Sequence, residues 1–165
     1  MYKLSRAALG AAAIAITLSS AAPAASGACW TQADVSAAKV RQMQTKLMVA
    51  ALRCRASGYD ILASYNRFIR AKRGEITAAN DRLKAHFRAA RPSTGERDYD
   101  RYTTALANHY GGARTNPNSC AEAETLAQTA ASRGSLIETA AHDVSSPKLP
   151  SGRCSGRDPV LLVSD

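Results

Sequence analysis

Apolar residues between positions 31 and 57 recur at steps of three and four: Val40, Met43, Leu47, Ala50 and Cys54. That spacing gathers side chains onto one face of an α-helix. Thr31 and Asp34 stand at capping-box spacing ahead of the stripe and Gly58 supplies a stop, so a helix is predicted over 31–57. A second stripe runs Ile61, Tyr65, Phe68, Lys72, Ile76, Ala79, Leu83, His86 and Ala90, with Ile69 and Phe87 beside it. It predicts a helix over 60–91 with one weak point. Lys72 interrupts the stripe with a charge, and Gly74 costs about 1 kcal/mol relative to alanine in a helix interior. A kink or break therefore belongs between Lys72 and Glu75.

The stretch "RPSTGE" at 91–96 reads as a turn, because Pro92 disfavours helix in the residue before it. A shorter helix is predicted over 97–110, burying Tyr99, Tyr102, Leu106 and either Tyr110 or His109. "GGARTNPNS" follows as a loop. Ser119 and Glu122 form an S-x-x-E box that opens the last helix, whose stripe is Cys120, Ala123, Ala127, Ala130, Ile137, Ala141 and Val144, with Gly134 filling one step. Ser135 and Glu138 form a further box, a natural point for that helix to restart. Beyond Ser145, Pro147, Pro150, Gly152, Gly156 and Pro159 enforce an irregular tail, in which "VLLV" at 160–163 would dock on the bundle or add a short edge. No alternating run is long enough for a sheet. The expected fold is all-α, an antiparallel up-and-down four-helix bundle with short connections.

The first 26 residues stand apart. Lys3 and Arg6 precede an apolar run from Ala7 to Leu18, and small residues with Pro23 follow. This is the layout of a secretory signal peptide, cleaved after Ala24 or Ser26. The run is too short to span a bilayer, which takes about 20 apolar residues. Residues 27–146 then form the helical domain, and 147–165 the tail. A periplasmic or secreted location is expected, with no transmembrane segment in the mature chain.

Export gives the four cysteines their reading. Cys29 lies eleven positions past Leu18 with Ser26 at −3, which suits neither a lipoprotein signal nor an even thiol count after lipid attachment. In an up-and-down bundle Cys29 precedes the first helix and Cys154 follows the last, at one end; Cys54 and Cys120 meet at the other. The other two pairings would bridge ends roughly 35 Å apart, whereas a disulfide needs Cα atoms within about 7 Å. Cys29–Cys154 and Cys54–Cys120 are the expected bonds, the second of which joins the first helix to the last.

Lysine and arginine number 22 against 13 acidic residues, for a net charge of +9. The excess is concentrated between Lys39 and Arg101, where fifteen basic residues face six acidic ones. Such a field suits an anionic envelope component or an acidic partner protein. Arg67, Arg70, Arg73, Lys84 and Arg88 are the candidate contacts, and arginine favours bidentate grip on carboxylate or phosphate. Nucleic acid is disfavoured, since Tyr65 and Phe68 are committed to the core rather than interleaved for base stacking.

Catalytic signatures are scarce. C-x-x-C and C-x-x-C-H are missing, so neither a thiol oxidoreductase nor a covalent haem is indicated, and no cofactor is expected. Glu138, His142 and Asp143 make the best metal-like fragment, but an ion pair explains it equally well, and no metal site is assigned. Glu75, Glu96, Asp98 and Asp100 do not form a pair across a groove as glycan hydrolysis requires. No nucleophile elbow is present. A cell-wall-acting or metal-dependent enzyme, with Glu75 or Glu138 and His142 as its candidates, is the alternative to a non-enzymatic binding protein.

The leader together with "CW" at Cys29–Trp30, "LRCRASGYD", "YNRFI" and "SGRC" resembles exported α-helical four-cysteine proteins of Gram-negative bacteria that have no assigned activity. The resemblance implies export and a helical fold over most of the mature chain, and it assigns no catalytic residue.

Overall fold

The computed structural model describes residues 29–132 and 134–154, and every regular element within them is an α-helix. The elements are α1 (Gln32–Ala56), α2 (Leu62–Ala71), α3 (Arg73–Ala90), α4 (Gly95–Gly111), α5 (Pro117–Ala131) and α6 (Leu136–Asp143). Residues 1–28, read as the signal peptide and the chain preceding Cys29, and the "VLLV" run lie outside the described residues.

α1 packs against all five other helices. Its buried set exceeds a single stripe: Ala37, Ala38, Gln42, Thr45 and Ala51 join Val40, Met43, Leu47 and Cys54. Small and polar side chains let neighbours approach α1 from several directions. The capping box forms as the spacing predicts. The Thr31 hydroxyl accepts the Asp34 N–H at 3.2 Å, and Asp34 accepts the Thr31 N–H at 3.0 Å.

The four predicted helices are six among the described residues, because two of them break. α2 stops at Ala71 and α3 starts at Arg73, with Lys72 between them at φ −112°. Lys72 is nonetheless buried. Its ammonium donates to the Gly134 carbonyl at 2.5 Å and lies 3.3 Å from Glu75. Glu75 in turn accepts the Leu136 N–H at 2.7 Å, capping α6. The two breaks thus face each other, and the charge that interrupts one stripe supplies the bond that fixes the other. Ser135 makes no side-chain cap; Glu75 does that work in place of the Ser135–Glu138 box.

Restarting at Leu136 shifts the helix register. Leu136, Ala140 and Val144 are buried, while Ile137 is 52% exposed, so the predicted Ile137–Ala141 part of the stripe faces outward. α5 also begins earlier than the Ser119–Glu122 box implies. Asn116 is its N-cap and exchanges hydrogen bonds with Ser119, with Pro117 at the first helical position. Proline has no N–H to lose there and its φ is already helical. α4 likewise starts at Gly95 rather than Arg97.

Two disulfides join Cys29 to Cys154 and Cys54 to Cys120, with Cα separations of 4.9 and 5.7 Å. These are the pairs selected above by placing cysteines at common ends. The first brings the tail beside Trp30. There the Trp30 N–H donates to the Gly152 carbonyl at 3.0 Å, and the Cys154 N–H donates to the Trp30 carbonyl at 2.9 Å. No described helix is long and apolar enough to cross a membrane.

Candidate ligand-binding groove

A cavity of about 890 Å³ opens where the end of α3, the length of α4 and residues 147–151 converge on Trp30. Four segments distant in sequence build it, and each is fixed by identifiable bonds. The α1 cap holds Trp30 in place one residue upstream of Thr31. α3 is held to the same end of α1 by Asp34, which pairs with Arg82 at 2.6 Å and lies 3.3 Å from His86 Nδ1. Burial alone would raise the Asp34 carboxyl. Hydrogen bonds from Thr31 and Arg82 outweigh that and hold it below its ordinary value.

α4 meets α3 through a glycine. A Cβ at Gly95 would lie 2.6 Å from the Arg88 Cα, so only glycine permits this approach. The far end of α4 is held by Arg53, which donates to the carbonyls of Tyr110, Gly111 and Ala113 and to the Thr115 hydroxyl. Arg53 therefore caps the C-terminus of α4, and His109, one of the two residues expected to be buried there, lies exposed with its ring edge against Tyr110.

The tail forms the remaining wall. Gln42, buried on α1, donates to the Tyr110 hydroxyl at 2.9 Å and accepts the Lys148 N–H at 2.8 Å. One side chain thereby ties α4 and the tail to the central helix. The Trp30 indole N–H donates to Ser151 Oγ at 3.1 Å.

The floor is aromatic and aliphatic. Trp30, Phe87 and Tyr102 contact one another with ring centroids 5.5–6.0 Å apart, and His86 stacks on Trp30 at 4.2 Å. Leu106, Leu149 and Pro150 complete the apolar lining. The Tyr102 hydroxyl is buried with no hydrogen-bond partner among the described residues. Burial raises its pKa strongly, partly offset by the charge of Arg41, so it stays a protonated donor.

The rim is cationic. Arg91 and Arg101 stand on either side of Asp98, at 3.6 and 3.3 Å, and both are more than two-thirds exposed. Lys148 lines the groove from the tail side. Three cations and one carboxylate leave an excess of +2 around the opening.

The five arginines and lysines proposed from sequence do not form one patch. Arg67, Arg70 and Arg73 are exposed on α2 and the first turn of α3, with no ion pair among the described residues. Lys84 sits 5.6 Å above the Tyr99 ring, and Arg88 pairs with Glu96 at 2.6 Å. Arg73 and Arg88 are fifteen residues apart on one helix, roughly 22 Å. Arg91 lies at the end of the same helix stretch as the candidates Lys84 and Arg88, but Arg101 and Lys148 stand outside it; only the folded chain brings Lys148 to Arg91 and Arg101.

Of the residues weighed for catalysis, only Asp98 lines this groove, between Arg91 and Arg101. Glu75 caps α6, and Asp143 pairs with Lys46 at 2.5 Å. Glu138 and His142 are exposed. Among the described residues no three His, Cys, Asp or Glu side chains are grouped to hold a metal ion. A smaller cavity, about 340 Å³, lies beside Cys54 and is lined by charges of both signs, including Lys46, Arg53, Glu122 and Asp143. Comparison with protein-family models, with curated proteins and with solved structures finds no match.

Proposed function

We propose that this is an exported, non-enzymatic binding protein of the bacterial envelope, which acts by capturing an anionic envelope component at the groove beside Trp30. The observation that carries the reading is an apolar floor ringed by Arg91, Arg101 and Lys148. That pairing of features suits a partner with an apolar body and a negative head. The scaffold is best understood as four arms running up and down, namely α1, α2–α3, α4 and α5–α6, tied at opposite poles by the two disulfides. Disulfides persist in oxidising compartments, which supports export, and the signal-like leader supports the same route. The sequence resemblance to exported four-cysteine helical proteins agrees with it.

Vesicle co-sedimentation tests the reading. The oxidised protein should bind vesicles containing anionic lipid and ignore zwitterionic ones, and moderate salt should weaken binding because exposed charges are screened within about 10 Å. Arg101→Glu with Lys148→Glu should reduce binding more than Arg67→Glu with Arg70→Glu. Binding indifferent to salt and to lipid charge would overturn the reading. A loss confined to the Arg67 and Arg70 variant would move the contact to α2, whose unpaired arginines are the one observation favouring that surface.

A further inference from the structure

Resting on the groove reading above, we infer that the occupant is a free single-chain amphiphile with an anionic head, one molecule per chain, its apolar tail on the Trp30–Phe87–Tyr102 floor and its head at Arg91, Arg101 and Lys148. Three observations carry this from binding in general to a ligand class. First, the cavity of about 890 Å³ falls within the roughly 300–1,000 Å³ of sites that enclose small molecules. It is larger than one head group needs and matches a molecule with a body. Second, the apolar lining lies behind the charged rim: Phe87 and Tyr102 keep a small accessible area bordered by Ala90, Ala105 and Leu149, whereas Arg91, Arg101 and Lys148 are exposed. A floor this deep is reached by a chain inserted into the groove rather than by a flat membrane face laid across it. Third, the charges occupy the rim and leave the floor apolar. Arg91 and Arg101 share Asp98 as their sole carboxylate among the described ion pairs, so two guanidinium groups are half-neutralised and retain donors for an incoming anion.

The arrangement distinguishes amphiphiles by head and by length. A neutral alcohol of the same chain would fill the floor and leave the rim unsatisfied. A cationic amphiphile would meet an excess of +2. Each methylene added to the chain should tighten binding about fourfold while the groove has room, since burying one is worth about 0.8 kcal/mol, and the gain should then stop.

The chain has one tryptophan, Trp30, so its fluorescence reports the floor directly. The experiment titrates the oxidised protein with octanoate, decanoate and dodecanoate below their micellar concentrations, alongside dodecanol and dodecyltrimethylammonium. Calorimetry supplies the stoichiometry. The expected result is saturable binding of one dodecanoate per chain, about fifteenfold tighter than decanoate and at least tenfold tighter than dodecanol, with no response to the cation. Arg101→Glu on exposed α4 surface should weaken dodecanoate at least tenfold and leave dodecanol unchanged. Ala105→Trp, at an exposed position lining the groove, should block all of them.

Equal binding of all three heads would overturn the anionic class while leaving the groove as a binding site. No binding by any amphiphile, with vesicle binding intact, would overturn the inference and leave the proposed function standing. Dodecanoate binding seen only in a chain ending at Cys154 would identify the groove as the seat of residues 155–165, which contain Val160–Val163, and would overturn the free-ligand reading as well.

Discussion

Asp34 caps α1 through Thr31 and at the same time holds α3 through Arg82 and His86. The cap was legible from a three-residue spacing. Its tertiary partners were not, because Arg82 lies 48 residues away and nothing local marks it as the mate of that carboxylate. The linkage has a definite sign. The folded carboxyl sits below its ordinary value, so its contribution is complete above the unfolded value of about 3.9 and disappears as pH falls through the lower folded value. Urea unfolding across that acid range should show wild-type stability dropping with pH, while Asp34→Asn starts less stable at neutral pH and follows a flatter profile. Parallel profiles for the two proteins would remove Asp34 from this role. Lys72 teaches the complementary lesson. A lysine in an apolar stripe reads as a flaw, yet it is buried with both Gly134 and Glu75 as partners, and a buried ammonium is tolerated only under such conditions.

Helix existence and helix type followed from periodicity, whereas boundaries and register did not. The stripe of the last helix was counted straight through Gly134, which has φ +116°, and the restart at Leu136 then turned Ile137 and Ala141 outward while Val144 stayed buried. Steps of three and four locate a face only while the helix is continuous. The α3–α4 crossing is a second case. Gly95 sat inside an evident turn, and its requirement comes from the Arg88 backbone passing within van der Waals distance of the missing side chain. Gly95→Ala should therefore cost about 1–3 kcal/mol by overpacking and lower the melting temperature by on the order of 5 °C. Gly74→Ala has open space around its Cβ and should be neutral or stabilising. Thermal denaturation of the two variants checks the contrast, and equal effects would contradict the close approach.

Across the whole molecule, the two disulfides do different work. Cys54–Cys120 joins the end of α1 to the start of α5, whereas Cys29–Cys154 fixes the tail that walls the groove. Closing loops of this length stabilises by roughly 4 kcal/mol in the chain-entropy description. Replacing either pair by serine should thus lower the denaturation midpoint comparably. Only loss of Cys29–Cys154 should weaken dodecanoate binding in protein that remains folded, and an equal loss of affinity in both variants would contradict this division. The net charge of +9 was visible in the sequence, as was its concentration in the first half. Its usable part was not, since pairing with Asp34 and Glu96 and the position over Tyr99 occupy Arg82, Arg88 and Lys84.

The most direct test of the groove is the two-dimensional ¹H–¹⁵N spectrum of the oxidised protein during titration with dodecanoate. The single indole N–H, which donates to Ser151, should shift together with backbone signals of residues 86–91, 98–106, 148, 149 and 151. Shifts confined to residues 67–73, with the indole signal unmoved, would contradict the account.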